Sequence, residues 1–177
     1  MGEFGKREQS CKSAKEGVMK KLYLVLAVLT ILCFTASARA QQAATKEECV
    51  VKCHEAAALI NAKGLDEAIK AIGDPKGPFV WKDSYVFLMN LDGKMLAHPM
   101  QPELTKLPHC LLITDATDKA LFVSFVNLAR TAGQGWVDYM WPRPGKKSPS
   151  KKITYIYRVP NQDVFVGAGV YVGGMMY

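Results

Sequence analysis

Apolar and polar positions after residue 41 follow patterns that predict an ordered series of helices and strands. Thr45 and Glu48 have the spacing of a helix capping box, and the apolar residues that follow recur at helical intervals. Gly64 predicts the end of this helix. Residues 65–73, LDEAIKAIG, predict a second short helix, and the DPKGP that follows them predicts a turn.

The clearest strand pattern lies in the stretch DSYVFLMNLDGKMLAH, which predicts a β-hairpin. Asp92 and Gly93 form the tight-turn pair between the two strands. Successive side chains of a strand point to opposite faces. One face of the first strand therefore carries Tyr85, Phe87 and Met89, and the other carries Val86, Leu88 and Asn90.

The second half of the sequence predicts one more helix and three more strands. Residues 115–130, starting at Asp115, have apolar residues on one helical face. GWVDYMWP reads as a strand closed by the loop PRPGKKSPS. KKITYIYRVPNQDVFVGAGVYV then predicts a hairpin turning over residues 160–163. Five strands joined mainly as hairpins, with helices packed on them, predict an α+β fold around an antiparallel sheet.

The first 40 residues predict export rather than a part of this fold. Residues 19–40 combine two lysines, an apolar run of about 13 residues and the small-x-small sequence Ala38-Arg39-Ala40, as secretory signal peptides do. Cleavage is expected near Ala40. An uncleaved anchor is the less favoured alternative, because a membrane-spanning helix needs roughly 20 residues. Residues 1–18 are interpreted as an upstream extension, which leaves one periplasmic or secreted domain over residues 41–177.

Charge and motifs exclude several classes of function. Residues 41–177 hold 16 basic and 13 acidic residues, a net charge of +3, and lack the basic stripe of a nucleic-acid-binding protein. No nucleophile elbow and no glycine-rich phosphate loop are present. We therefore expect no enzymatic activity and no nucleic-acid partner. A basic cluster, Arg143, Lys146, Lys147, Lys151 and Lys152, falls in one Pro/Ser-rich loop, where such clusters are usually solvated.

The aromatic residues of GWVDYMWP allow two interpretations. On a strand Tyr139 and Trp141 share one face, and Trp136 lies on the other. Both faces are consistent with ordinary core packing. Alternatively, Tyr139 and Trp141 line a cavity, where a phenol hydroxyl and an indole N–H give an apolar wall a few directional donors for a small polar ligand.

The cysteines also leave alternatives open. CVVKCH, which spans Cys49, Cys53 and His54, is one residue longer than the motif that attaches c-type haem. A haem c redox protein is therefore the alternative function, and a Cys/His zinc site is less favoured still. Disulfides or free thiols among Cys49, Cys53 and Cys110 are preferred. A bridge between Cys49 and Cys53 would distort the helix, because residues four apart lie roughly 6 Å from each other.

Four stretches together resemble the single Cache family, the PAS-like extracytoplasmic sensor domains of bacteria. They are FVWKDSYVFLMNLDGKMLAHP, GQGWVDYMWPRPG, SKKITYIYRVP and VFVGAGVYV. The resemblance covers nearly all of residues 41–177 and implies a five-stranded antiparallel sheet with a long N-terminal helix. It also implies a sensor that binds a small ligand, often a short carboxylate or an amino-acid-like metabolite, in a pocket over one sheet face.

The resemblance further implies contacts and partners. Lys152, with Tyr155 near it, and His98 are the expected contacts of an anionic ligand, in addition to Tyr139 and Trp141. A solvated loop lysine and a backbone-bonded histidine are the alternatives for Lys152 and His98. Family members usually feed a chemoreceptor, kinase or cyclase, so a membrane receptor or transducer is the expected partner, with a homodimer as a candidate assembly. We expect the sensor module alone and no cofactor apart from the haem c alternative.

Overall fold

The computed structural model of the protein describes residues 42–173, so the predicted upstream extension and signal peptide lie outside the described residues. Two helices come first, α1 at Lys46–Lys63 and α2 at Leu65–Gly73. The capping box is confirmed: the Glu48 N–H donates to the Thr45 hydroxyl at 3.2 Å, and the Thr45 N–H donates to the Glu48 carboxylate at 3.0 Å. No helix within residues 42–173 is long and apolar enough to cross a membrane.

An antiparallel sheet forms the centre of the fold, which confirms the α+β prediction. Its order is β1-β2-β6-β5-β4, and β3 pairs with β2 beyond this path. Both predicted hairpins are present. The described strands are β1 at Val80–Trp81, β2 at Ser84–Asn90, β3 at Met95–Ala97, β4 at Gln134–Pro142, β5 at Pro149–Arg158 and β6 at Val164–Tyr171. The sheet has one strand more than predicted, because β1 is only two residues long and gives no alternation to detect.

The third helix, α3 at Leu121–Thr131, starts later than the sequence predicts. Asp115 does not cap it. Instead, one carboxylate oxygen of Asp115 accepts the N–H groups of Thr117 and Lys119, and the other accepts the Met140 N–H at 2.7 Å. The loop before α3 is therefore tied to β4, and the predicted helical start at Asp115 is wrong. A 3-10 helix at Pro102–Lys106 lies between β3 and this loop.

The sheet has two buried faces of different composition. We call the face packed against α1 and α2 the helical face, and the face packed against α3 the cavity face. Val86, Leu88, Ala168 and Val170 lie in the core of the helical face with Cys49, Cys53, Ala56, Ala57 and Ile60 of α1. The core of the cavity face holds Tyr85, Phe87, Met95, Leu121, Phe122, Phe125, Tyr139, Trp141, Ile156 and Phe165.

Candidate ligand-binding site

The cavity face encloses a small cavity of about 10 Å³ between the sheet and α3. This is room for about one water molecule. Strands β2, β3 and β4, the residue that follows β3, and α3 all contribute to its wall. The lining residues are Tyr85, Phe87, Met95, His98, Leu121, Phe122, Phe125, Tyr139 and Trp141. The prediction that Tyr139 and Trp141 share one strand face holds, and both residues line this cavity while also packing in the core.

Aromatic rings make most of the wall and meet edge to face. The Phe125 ring lies 5.1 Å from the Tyr139 ring and is inclined to it by 73°, and the Phe122 ring lies 5.9 Å from Trp141 at 88°. Rings in this arrangement attract one another through their quadrupoles. The lining rings therefore hold one another in place around the small cavity.

Lys152 contacts the lining residue Tyr85 without lining the cavity itself. It belongs to β5, where it is fully buried and pairs with Tyr139 of β4 and Tyr171 of β6. Its side chain shares the cavity face with Thr154 and Ile156, because residues two apart point the same way. The interpretation of Lys152 as part of a solvated basic loop is therefore wrong, since β5 begins at Pro149 and the alternation of the strand turns this side chain inward.

The ammonium group of Lys152 is surrounded by aromatic rings instead of acceptors. Nζ lies 3.9 Å from the centre of the Tyr85 ring and 4.9 Å from that of Tyr171. No described residue accepts a hydrogen bond from it. Burial lowers the pKa of Lys152 from 10.5 to about 7, because the charged form loses its hydration. The Lys152 ammonium is therefore the polar group of this site that lacks a hydrogen-bond acceptor.

Tyr85 and Tyr171 were not among the predicted site residues. A signal for Tyr85 was present, because it shares a strand face with Phe87, whereas nothing in the sequence connects Tyr171 with Lys152. Burial raises the pKa of both tyrosines, so both hydroxyls stay neutral at physiological pH. The Tyr171 hydroxyl donates to the Pro142 carbonyl at 2.7 Å, which fixes its ring near Lys152.

His98 contributes a second polar group to the cavity wall. It is 3% exposed, and its ring lies 4.8 Å from that of Tyr85. Burial, and secondarily the nearby charge of Lys152, lower the pKa of His98 from 6.5 to about 3, so the ring is neutral. Its Nδ1 accepts the Gln101 N–H at 2.9 Å, which leaves Nε2 as the ring's N–H donor. The predicted alternative, a backbone hydrogen bond, is thus present together with a position in the cavity wall.

Hydroxyl groups complete the polar side of the site. The Tyr139 and Thr154 hydroxyls lie 2.9 Å apart in a buried hydrogen bond. Gly169 of β6 makes room for Thr154, because a methyl group at this position would collide with the Thr154 hydroxyl. Only one proton of this hydroxyl pair is used between the two oxygens, so the pair retains one donor for another acceptor.

Asp83 and Arg143 lie near the site but neutralise each other. The Arg143 guanidinium donates to the Asp83 carboxylate at 2.9 Å and lies over the Tyr171 ring, 4.8 Å from its centre. The second Asp83 oxygen accepts the Ala44 N–H at 2.7 Å. The carboxylate of Asp83 therefore has charged and neutral donors of its own and does not bind Lys152.

Tyr155 is not brought into the site. It lies one residue from Thr154 on β5, so its ring points to the helical face, where it packs in the core beside α1. Its hydroxyl donates to the Gln134 side chain at 2.7 Å, and its ring lies 5.2 Å from that of Trp136. The prediction that Lys152 and Tyr155 lie together overlooked that residues three apart on a strand face opposite ways.

The cysteines of CVVKCH lie inside the core of the helical face. Cys49 and Cys53 are both fully buried, and Cys49 Sγ lies 3.9 Å from the Ser84 hydroxyl. His54 is exposed, and its ring lies 4.3 Å from that of Tyr157. The two thiols and the imidazole therefore do not converge on one exposed surface, and the geometry gives no support to the haem alternative.

All three described cysteines are free thiols, in agreement with one of the two preferred alternatives. The third, Cys110, is buried on the cavity face with Sγ 3.9 Å from the Leu104 carbonyl. Burial raises the pKa of Cys49 from 9.0 to about 11, and it raises those of Cys53 and Cys110 as well, so the thiols are protonated and unreactive. Within residues 42–173 no cluster of three His, Cys, Asp or Glu side chains could hold a metal ion.

Sequence comparison finds relatives among bacterial sensors. Residues 58–175 match the model of a family described as the Cache domain. The methyl-accepting chemotaxis protein McpP of Pseudomonas putida is 37% identical to this chain over 90 residues. The match covers 51% of this chain and only 16% of McpP.

Two solved structures share the fold and a measurable part of the sequence. A periplasmic sensor domain of a chemotaxis protein is 28% identical, with a TM-score of 0.58 over 72% of this chain and 90% of that domain. A Cache chemosensory domain studied for carboxylic acid recognition is 25% identical, with a TM-score of 0.58 over 87% of this chain and 98% of that domain.

Proposed function

Because the chain belongs to the Cache domain family, whose members are ligand-binding sensor domains, we propose that it senses a short monocarboxylate outside the cytoplasm. The match to a periplasmic sensor domain supports the location, and the match to a chemotaxis receptor supports a membrane transducer as partner. The proposed activity is binding without chemical conversion of the ligand. A homodimer and cleavage of the signal peptide stay predictions.

The observation that carries this proposal is the buried ammonium of Lys152, which has no hydrogen-bond acceptor among the described residues and contacts the cavity-lining ring of Tyr85. A buried cation is costly unless it is paired with an anion and hydrogen-bonded. A ligand carboxylate would supply both the opposite charge and the missing acceptors. The Nε2–H of His98 and the free donor of the Tyr139–Thr154 pair are the neutral groups available to complete its hydrogen bonds.

The balance of charge favours a ligand with one carboxylate and no amino group. Among residues 42–173, Lys152 is the one buried cation of the cavity face, and Arg143 is already paired with Asp83. A dicarboxylate would therefore bury a second negative charge without a partner. The ammonium of an amino acid would need a carboxylate, and the charge of Asp83 is already paired with Arg143, while its other oxygen accepts the Ala44 N–H.

The cavity wall favours a short alkyl group on that carboxylate. Phe122, Phe125 and Trp141 present apolar ring surface, which suits one or two methyl or methylene groups. Even a two-carbon acid is larger than the present cavity of about 10 Å³. Binding must therefore displace part of the wall, and such a displacement is a direct means to transmit the signal.

Calorimetric titration with acetate and propionate, and with glycine and succinate for comparison, tests the proposal. We expect the monocarboxylates to bind and the other two to bind at least tenfold more weakly. Lys152→Met should weaken acetate binding at least 100-fold, because the buried cation beside the ligand is lost, whereas Lys151→Met, at the exposed neighbouring position, should leave it within twofold. Equal binding by wild type and Lys152→Met would contradict the proposal.

A further inference from the structure

We infer that the carboxylate enters this site together with a proton that Lys152 takes up, so that the domain responds to a carboxylate more strongly in acid surroundings. This inference rests on the proposed function and adds to it a second sensed species. The protein would then respond to the concentrations of both the carboxylate anion and the proton, although the free ligand is ionised.

The geometry supports this because, among residues 42–173, the ammonium contacts two ring faces and has no hydrogen-bond acceptor. The Nζ atom lies 3.9 Å from the Tyr85 ring centre and 4.9 Å from that of Tyr171, and Lys152 is 0% exposed. Ring faces attract a cation but do not accept its hydrogen bonds as a carboxylate does. The neutral amine is therefore accessible in the free protein, where burial lowers the pKa of Lys152 to about 7.

The titratable groups of the cavity face near Lys152 are neutral and supply no negative charge to it. On the cavity face, burial keeps the hydroxyls of Tyr85, Tyr139 and Tyr171 protonated by raising the pKa of each. His98, which follows β3, is neutral because burial lowers its pKa to about 3.

Two further titratable groups, Cys49 and Asp83, lie near Lys152 on other elements. From α1, Cys49 is a neutral thiol because burial raises its pKa to about 11. Asp83, before β2, is the carboxylate that raises the pKa of Lys152, but only in part, since its oxygens bind Arg143 and the Ala44 N–H. No group among residues 42–173 thus compensates the charge of Lys152 fully.

A carboxylate bound beside Nζ shifts the protonation equilibrium of Lys152 toward the charged ammonium. An opposite charge within hydrogen-bond distance favours the protonated amine and raises the pKa of Lys152. Between about pH 7 and pH 9, ligand binding should therefore take up between half a proton and one proton. The affinity should fall about tenfold per pH unit above the pKa of free Lys152, since each unit makes the protonated form tenfold rarer.

The test is calorimetric titration of the wild-type protein with acetate from pH 6 to pH 9, in phosphate and in Tris buffers of different ionisation enthalpy. Acetate stays ionised throughout, because carboxylic acids lose their proton near about pH 4. We expect a constant Kd below about pH 7, a roughly tenfold rise per unit above it, and a proton uptake near one at pH 8. Lys151→Met should show the same profile.

The outcomes separate this inference from the proposed function. Acetate binding with a Kd constant within twofold from pH 6 to pH 9 and no proton uptake would overturn the inference and leave the proposed function intact. No acetate binding at any pH would overturn both. Lys152→Arg, whose guanidinium stays charged over this range, should bind with a flat pH profile. A retained slope in a folded Lys152→Arg protein would assign the proton to another group, and so overturn the inference.

Discussion

The two faces of the sheet are built from side chains of different kinds. On the helical face, thiols and alanines of α1 meet valines and a leucine of the sheet, and most of the partners are small and apolar, with Phe79 and Tyr155 as larger members. On the cavity face, aromatic rings meet edge to face around a small cavity, and a buried lysine lies beside it. Since close apolar packing stabilises a fold and a buried charge without an acceptor destabilises it, the first face supports stability and the second is suited to binding.

The largest change in the free energy of unfolding should come from a truncation in the core of the helical face. Leu88→Ala removes a fully buried side chain of β2 from this face. We expect the free energy of unfolding to fall by about 2–5 kcal/mol, because the lost burial is accompanied by a cavity. Acetate affinity should stay within twofold, because Leu88 points away from Lys152. Urea denaturation and calorimetric titration measure the two quantities.

The matched control for this comparison is Val51→Ala, at a position of α1 that is 54% exposed. Its loss should be below about 0.5 kcal/mol. A Leu88→Ala protein that loses less than about 1 kcal/mol, or that loses acetate binding while folded, would contradict the assignment of separate roles to the two faces.

At Lys152 we expect the opposite result: a substitution that weakens acetate binding should make the ligand-free protein more stable. Lys152→Met should raise the free energy of unfolding of the ligand-free protein by about 1–4 kcal/mol near pH 7, as apolar replacement of buried ionic groups often does. The folded protein holds the pKa of Lys152 at about 7, below its value of 10.5 in the unfolded chain. The unfolded state therefore binds more protons between these values, and wild-type stability rises with pH there.

The stabilisation by Lys152→Met should accordingly be largest at and below about pH 7 and should shrink toward pH 10. Urea denaturation of both proteins at pH 6, 8 and 10 measures this difference, and Lys151→Met is the control at a solvated position. A Lys152→Met protein less stable than wild type at pH 7 would show that the ammonium is already well compensated.

A smaller effect is expected from removing one hydroxyl group of the cavity face. Tyr139→Phe removes a hydroxyl that lies 2.9 Å from the Thr154 hydroxyl and leaves the ring in place. We expect a loss of about 1 kcal/mol in the free energy of unfolding and a loss of acetate affinity of no more than tenfold. Tyr157→Phe, on the helical face, should leave the affinity unchanged. Equal affinity losses in the two variants would mean that the hydroxyl loss acts through the fold.

Local pattern was enough to predict most of the elements. The capping box of α1, the hairpin over β2 and β3, and the shared face of Tyr139 and Trp141 each depend on residues close together in the sequence. The start of α3 did not follow from local pattern, because Asp115 binds the Met140 N–H of a distant strand. The alternation that turns Lys152 inward was visible in the sequence, and it already separated Lys152 from Tyr155.

Periodicity is a property of neighbouring residues, so the elements, their faces and the resemblance to Cache domains could all be read from local pattern. Three features depended on long-range contacts: which face meets α3, that Asp83 binds Arg143, and that Lys152 lies among the rings of Tyr85 and Tyr171. The physical reason is that the cost of a buried charge depends on every group around it. The groups around Lys152 come from β2, β4 and β6 and from α1, which are distant in the chain and adjacent only after folding.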